Sequence, residues 1–254
     1  MNMSKGSLQR PTKRLLESNK SRWSLRGVPI FFVMIVTGIA LFTRPAGQHE
    51  KDQSTKRKDD LVLLQDKALR RSSLNGVDYL WQLPSSSSRD QYRGILFLAH
   101  GCSHSMIDWW TPSERCPECI GLPEELAIVD IALKRHLIVV AMSSLGRHSK
   151  CWSAEDEKPV ADVLNELKDL LRVPVFALGA SSGGMFVSSN LPGTDLKLSG
   201  YVSEIAAPRR LAESVPAVFI TMNRDSRTDE KAAQAVERLR DLGVRSKHTR
   251  LEPL

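Results

Sequence analysis

The sequence predicts an α/β fold built on a doubly wound, mostly parallel sheet. Three observations lead there. Short apolar runs with no interior charge recur along the chain, as in Gly94–Ala99 (GILFLA) and His136–Met142 (HLIVVAM). Segments with apolar residues at helical spacing separate these runs, and the two kinds alternate. Finally, strands that are apolar on both faces belong to a parallel sheet covered by helices on both sides. In such sheets ligands bind at the carboxyl ends of the strands.

The elements follow in order. Val77–Leu83 (VDYLWQL) is strand-like, and Gly94–Ala99 is a buried strand running into His100-Gly101. Leu122, Leu126, Val129 and Leu133 recur at helical spacing, which predicts a helix over 123–135. His136–Met142 is the next strand. Val163, Leu164, Leu167, Leu170 and Leu171 mark a helix over 160–171. Val173–Leu178 is a strand followed at once by a Gly-rich turn and a short helical run, Met185–Asn190. Leu198–Ile205 and Ala217–Met222 are further strands. Glu230–Leu242 carries Ala235, Val236, Leu239 and Leu242 on one helical face, and Lys247–Leu251 is the last strand.

With 254 residues, the chain suits one domain plus a tail. Residues 1–60 hold 12 Lys/Arg against 5 Asp/Glu, which accounts for the whole formal charge of +7. The remainder carries 24 of each sign. That balance excludes the basic stripe a nucleic-acid-binding face needs.

The tail has its own organisation. Val28–Phe42 (VPIFFVMIVTGIALF) is free of charge, and seven basic residues against Glu17 precede it. Residues 27–43 are expected to be a transmembrane signal anchor, short for a bilayer core of about 30 Å. Snorkelling arginines and a thin early-secretory membrane suit such a length. The positive-inside rule then places residues 1–26 in the cytosol and the main domain in a lumen or outside, with the endoplasmic reticulum or Golgi favoured. A cleaved signal, a transit peptide and a buried core helix are the rival readings. Residues 44–60 mix both charges and read as a flexible stalk, ahead of a domain over 61–254. Ser85–Ser88 reads as a surface loop.

The chemistry centres on Gly179-Ala180-Ser181-Ser182-Gly183, which matches G-x-S-x-G. A serine on a sharp strand-to-helix turn projects its hydroxyl into the site, and tiny neighbours let strand and helix approach. The apolar strand before and the helical run after supply the required context. Ser181 is thus the candidate nucleophile. The Ser182 N–H, at a helix N-terminus, would face a developing oxyanion. His100-Gly101-Cys102-Ser103 after the first buried strand reads as the oxyanion loop, with the N–H of Cys102 or Ser103 as second donor. His100 is then structural, and His104 lines the mouth or is a satisfied loop histidine.

Asp225, after the strand Ala217–Met222, stands where the triad acid is expected, with Asp229 as the alternative; either also suits a helix cap. The base comes last in this chain order. His248 is the one histidine beyond Asp225, and it lies at or within the last strand. No cofactor and no metal site is expected. Cys116-Pro-Glu-Cys119 has CxxC spacing, but no second pair completes a zinc set. A disulfide between Cys116 and Cys119 is the expected state in an oxidising compartment; zinc and thiol redox chemistry are the alternatives.

Three pieces together, LFLAHGCSHS, the run from Trp109-Trp110 to CPECIGLPEE, and ALGASSGG, resemble a plant family of α/β-hydrolase-superfamily membrane proteins. The likeness covers most of residues 75–254. It implies the hydrolase fold, a single N-terminal anchor and Ser181 as the elbow serine, but no particular substrate. The usual hydrolase pattern continues past the last strand into a helix, so a C-terminally incomplete domain is expected. The leading functional expectation is a membrane-anchored serine hydrolase acting on a small-molecule or lipid ester. A non-catalytic binding or scaffold protein on the same fold, and a thiol-redox protein using the CxxC, are the alternatives.

Overall fold

The structure, a computed structural model, describes residues 69–85, 91–146 and 148–252. The tail over 1–26, the anchor over 27–43 and the stalk over 44–60 lie outside the described residues, as does most of the four-serine run. Among the described residues no helix is long and apolar enough to cross a membrane.

Eight strands form one sheet: β1 Arg70–Leu74, β2 Val77–Gln82, β3 Gly94–Ala99, β4 Leu137–Met142, β5 Val175–Ala180, β6 Leu198–Glu204, β7 Ala217–Met222 and β8 Ser246–Leu251. Their order is β1-β2-β4-β3-β5-β6-β7-β8. Strands β3 to β8 are all parallel, while β2 meets both β1 and β4 antiparallel. The expected doubly wound, mostly parallel sheet is what the chain forms. Strands β3 and β4 are buried at every position, which explains their lack of polar alternation.

Strand β1 is a finding the pattern of apolar residues did not give. Its sequence, RRSSL, has no hydrophobic run. The turn that joins it to β2 is Asn75-Gly76, with φ of 51° and 80°. Two successive positive φ values match the right-handed twist of a hairpin, and Asn-Gly is the pair that adopts them. Arg70 then lies over the Trp81 ring at 5.3 Å, and the Trp81 indole N–H donates to Ser72 Oγ at 3.0 Å.

Helices cover both faces. Helix α1, Pro123–Lys134, starts with proline in its first turn, where no N–H partner is lost, followed by Glu124 and Glu125 at the positive end of the dipole. Helix α2, Glu157–Leu171, buries Val160, Ala161, Val163, Leu164, Leu167 and Leu171 along one stripe. Its start is set by Ser153 and Asp156, whose side chains each accept an N–H from the other's turn. Helix α3, Ser182–Met185, passes directly into a π turn, Phe186–Asn190. Helix α4, Ser226–Asp241, buries Ala232, Ala235, Val236 and Leu239 and starts four residues earlier than its apolar stripe suggests. The early start comes from Asp225, whose carboxylate accepts the Thr228 N–H at 3.1 Å.

Two apolar cores result, one per face. Phe97, Val140, Leu164, Phe186, Tyr201, Phe219 and Val236 share the first. Leu98, Trp109, Val129, Val139, Leu178 and Ile220 share the second. Both cores end at the carboxyl edge of the strands, where β5 turns into α3.

Candidate active site

Ser181 sits at that turn with φ 54° and ψ −116°, a conformation rarely adopted by a residue with a side chain. Two backbone bonds hold it there. Its N–H donates to the Glu204 carbonyl at 2.9 Å, and its own carbonyl accepts the Met185 N–H at 2.9 Å. Ser181 is exposed, so the strained backbone presents its hydroxyl to solvent. The flanking glycines are fixed by contact. A Cβ on Gly179 would lie 2.4 Å from the Gly183 carbonyl carbon, and one on Gly183 would lie 2.1 Å from the Ala99 carbonyl oxygen. No side chain fits at either position, so strand β5, helix α3 and strand β3 meet only because both residues are glycine.

The loop after β3 runs beside Ser181. Register carries Ala99 opposite Gly179, which brings Gly101 level with Ser181. A Cβ placed on Gly101 would be 3.8 Å from Ser181 Cβ and 3.8 Å from His104 Cδ2. The loop is tied down by the segment after β4. Ser144 N–H donates to His100 Nε2 at 3.1 Å, Trp152 indole N–H to the His100 carbonyl at 2.9 Å, and Met106 N–H to Ser143 Oγ at 3.1 Å. A disulfide joins Cys102 to Cys151. Trp152 also stacks on Phe186 at 4.8 Å, wedging the loop against the segment that follows α3.

These contacts bear on the three backbone donors expected near Ser181. The Ser182 and Cys102 N–H groups take no acceptor among the described residues and are available to a ligand. The Ser103 N–H is not: it donates to the Ser149 carbonyl at 2.9 Å. Of the two candidates in the loop, only Cys102 keeps its donor free. His100 has both nitrogens committed. Nε2 accepts from Ser144, so Nδ1 carries the proton and donates to the Gly101 carbonyl at 2.6 Å. Burial also lowers its basicity.

The expected base lies elsewhere. Asp225 is an exposed cap of α4, and the hydrogen bond from Thr228 lowers its pKa. His248 lies in β8, level through the register with Phe219, Ser203 and Gly179. Three strand spacings, roughly 14 Å, separate it from β5. Its Nε2 faces Thr221 Oγ1 at 2.8 Å and Asp229 Oδ1 at 3.1 Å, beneath α4. The structure therefore pairs His248 with Asp229, not with Asp225, and sets His248 beneath α4, away from the turn that carries Ser181. The reason is topological. A side chain inside β8 that points at α4 is screened from the carboxyl edge by the helix itself.

His104, read as a mouth or loop histidine, has a partner that the sequence did not single out. His104 Nδ1 lies 2.8 Å from Asp108 Oδ2, and Asp108 is 4% exposed. Glu204, at the carboxyl end of β6 beside Ala180, is buried, and its Oε1 has no hydrogen-bond partner. Burial, reinforced by the charge of Glu125, lifts its pKa to about 7. The i, i+4 spacing of His104 and Asp108 was the available signal for the first pair. Nothing local distinguished Glu204.

All four cysteines are in disulfides, Cys102 with Cys151 and Cys116 with Cys119, so none is a thiolate ligand. Cys116 and Cys119 are 0% and 2% exposed, which shields that bond from a redox partner. Among the described residues no group of three or more His, Cys, Asp or Glu is arranged to hold a metal.

No protein-family model and no curated protein sequence matches the chain. Solved structures do. The native esterase 2 of Thermogutta terrifontis aligns at a TM-score of 0.51 and 14% identity, over 74% of this chain and 82% of that one. An acylaminoacyl peptidase in complex with a chloromethyl ketone aligns at 0.50 and 15% identity, over 84% of this chain and 42% of that one. A thermostable esterase aligns at 0.47 and 15% identity, over 76% of this chain. The chain spans 56% of that esterase and 41% of the Pyrococcus horikoshii acylaminoacyl peptidase. At these identities the likeness is one of fold, and the fold is that of the α/β-hydrolases.

Proposed function

We propose that this protein is a serine hydrolase of the α/β-hydrolase type, held to a membrane by residues 27–43 and acting on an ester. The observation that carries the reading is Ser181. It is exposed, and its backbone is held at φ 54° and ψ −116° on the strand-to-helix turn between two glycines that no side chain could replace. In the proposed reaction Ser181 Oγ attacks the ester carbonyl carbon and its proton passes to a base. The Ser182 and Cys102 N–H groups hold the oxyanion. Collapse expels the alcohol, which takes up the proton, and water then releases the acid from the acyl-serine. The basic tail and apolar run support the anchored arrangement, with the domain on the lumenal or outer side. The two disulfides suit that side.

A binding protein on the same scaffold is the second reading, favoured by the position of His248 away from Ser181. A fluorophosphonate probe separates the two. The full chain should be labelled, and Ser181→Ala should lose all labelling while melting within a few degrees of the parent. A folded parent that resists the probe would leave the scaffold reading.

A further inference from the structure

We propose that His104 is the general base of Ser181 and that Asp108 is its positioning residue. The inference rests on the hydrolase reading above and supplies the group that reading lacks. Five histidines fall among the described residues. His136 precedes β4 and so lies at the amino edge of the sheet, away from Ser181. His100 has both nitrogens committed, and His248 is bound under α4. His148 is exposed and has no carboxylate partner among the described residues. That leaves His104.

Its surroundings are those a base needs. His104 Cδ2, the ring carbon bonded to Nε2, and Ser181 Cβ both lie 3.8 Å from one point, the place a Cβ would occupy on Gly101. Imidazole and serine thus flank the same glycine, and the missing side chain at 101 leaves the gap between them open. Nδ1 is held 2.8 Å from a carboxylate that is itself fixed, because Asp108 Oδ2 also accepts the Ser105 N–H at 3.0 Å. With Nδ1–H donating to Asp108, the lone pair is on Nε2, and His104 is 47% exposed, so that nitrogen is open to the mouth. The chain order, base before nucleophile, differs from the order expected of this fold; triads are recognised by geometry and not by order.

In the proposed step Nε2 takes the proton of Ser181 Oγ as the Oγ–carbon bond forms. The imidazolium, paired with Asp108, returns that proton to the departing alkoxide as the ester C–O bond breaks. Neutral again, it takes a proton from the water that attacks the acyl-serine and returns it to Oγ. No oxidant or further reactant is involved.

The test is the rate of fluorophosphonate labelling of the full chain from about pH 5 to 9. General-base assistance contributes on the order of 10²- to 10⁴-fold. His104→Gln and His104→Ala are therefore expected to label at least about 100-fold more slowly. Both should keep the parent's circular dichroism, and added imidazole should restore part of the rate to His104→Ala only. Asp108→Asn should slow labelling less than His104→Gln and change the shape of the pH profile, which a purely structural role would leave unmoved. Charged and titratable groups facing His104 are Asp108 on its own loop, His100 at the end of β3 and Glu125 on α1; Glu204 on β6 acts on Glu125. The profile is therefore compared with those of Glu125→Gln and Glu204→Gln. Labelling of His104→Gln at the parental rate overturns the proposal and leaves Ser181 as nucleophile. Loss of labelling in His248→Gln but not in His104→Gln also overturns it. A folded parent that does not label removes both the base and the hydrolase reading.

Discussion

At the scale of single residues, the buried Glu204 ties stability to pH across the range from 4.5 to about 7. It is a neutral acid in a site whose free carboxylic acid would ionise near 4.5, and burial moves that to about 7. The sign follows by linkage. Between those two values the unfolded chain has released a proton that the folded chain still holds, so stability falls as pH rises. The stability is full below about 4.5 and is lost by about pH 7. At about 1.4 kcal/mol per unit the loss reaches roughly 3 kcal/mol. Glu204→Gln should therefore melt higher than the parent at pH 8 and level with it at pH 4, in parallel thermal scans. Equal slopes for the two proteins would assign the pH dependence to another group. Legibility divides on the same line. Ser181 and its glycines were readable because the pentapeptide itself makes the turn. Glu204 and Asp108 were not, because a carboxylate in a loop or at a strand end acquires its role from the surfaces that close over it.

Among the elements, α4 is joined to the sheet by a polar cluster as well as by its apolar stripe. Thr221 Oγ1 donates to Asp229 Oδ1 at 2.6 Å, Arg250 Nε donates to the same oxygen at 2.9 Å, and His248 completes the set. The cluster links α4 to β7 and β8. The Arg250 guanidinium holds the Asp229 carboxyl at about 2, so this contribution is present above the ordinary value near 3.8 and is lost as pH falls toward 2. Arg250 is half in solvent, which moderates the effect. Asp229→Ala should lower Tm by roughly 5 °C, equivalent to about 2 kcal/mol in a domain of this size. A variant that instead kept its Tm and lost labelling would place the Asp229–His248 pair in the chemistry. The elements themselves were largely legible from apolar runs and helical spacing. Strand β1 was not, since Arg70–Leu74 has too little apolar character, although Asn75-Gly76 announced its hairpin. The early start of α4 is not visible in the apolar stripe, because its first turn is polar and is fixed by the Asp225 cap, one of the two roles the sequence offers for that residue.

For the molecule as a whole, the large apolar side chains left exposed are unevenly placed. Leu145, Ile120, Ile205 and Met222 are 44%, 56%, 38% and 49% exposed and follow β4, β3, β6 and β7 or end them. In the sheet those strands stand two on either side of β5, so the four residues bracket Ser181 at the carboxyl edge. Under the proposed hydrolase reading, these apolar side chains at the carboxyl edge favour an ester with an apolar acyl chain. Hydrolysis of p-nitrophenyl esters should accelerate from acetate to octanoate, and Met222→Asp with Ile205→Asp should abolish the increase while sparing acetate. A flat chain-length profile would remove the rim from substrate binding. The doubly wound topology was legible because alternating strands and helices admit few arrangements. Which side of the sheet each polar residue faces was not, because a buried parallel strand lacks the alternation that would reveal it. His248 is the example: its position late in the chain suited a base, and its face of β8 turned it toward α4.

The bond between Cys102 and Cys151 ties the loop after β3, which runs beside Ser181, to a segment 49 positions further along. Closing a loop of that length restricts the unfolded chain by about 4 kcal/mol in the entropic model. The same bond makes the site's geometry a record of where the protein has been. A copy that matures among oxidants has its two loops riveted together, whereas one held among reduced thiols carries the same sequence with the rivet undone.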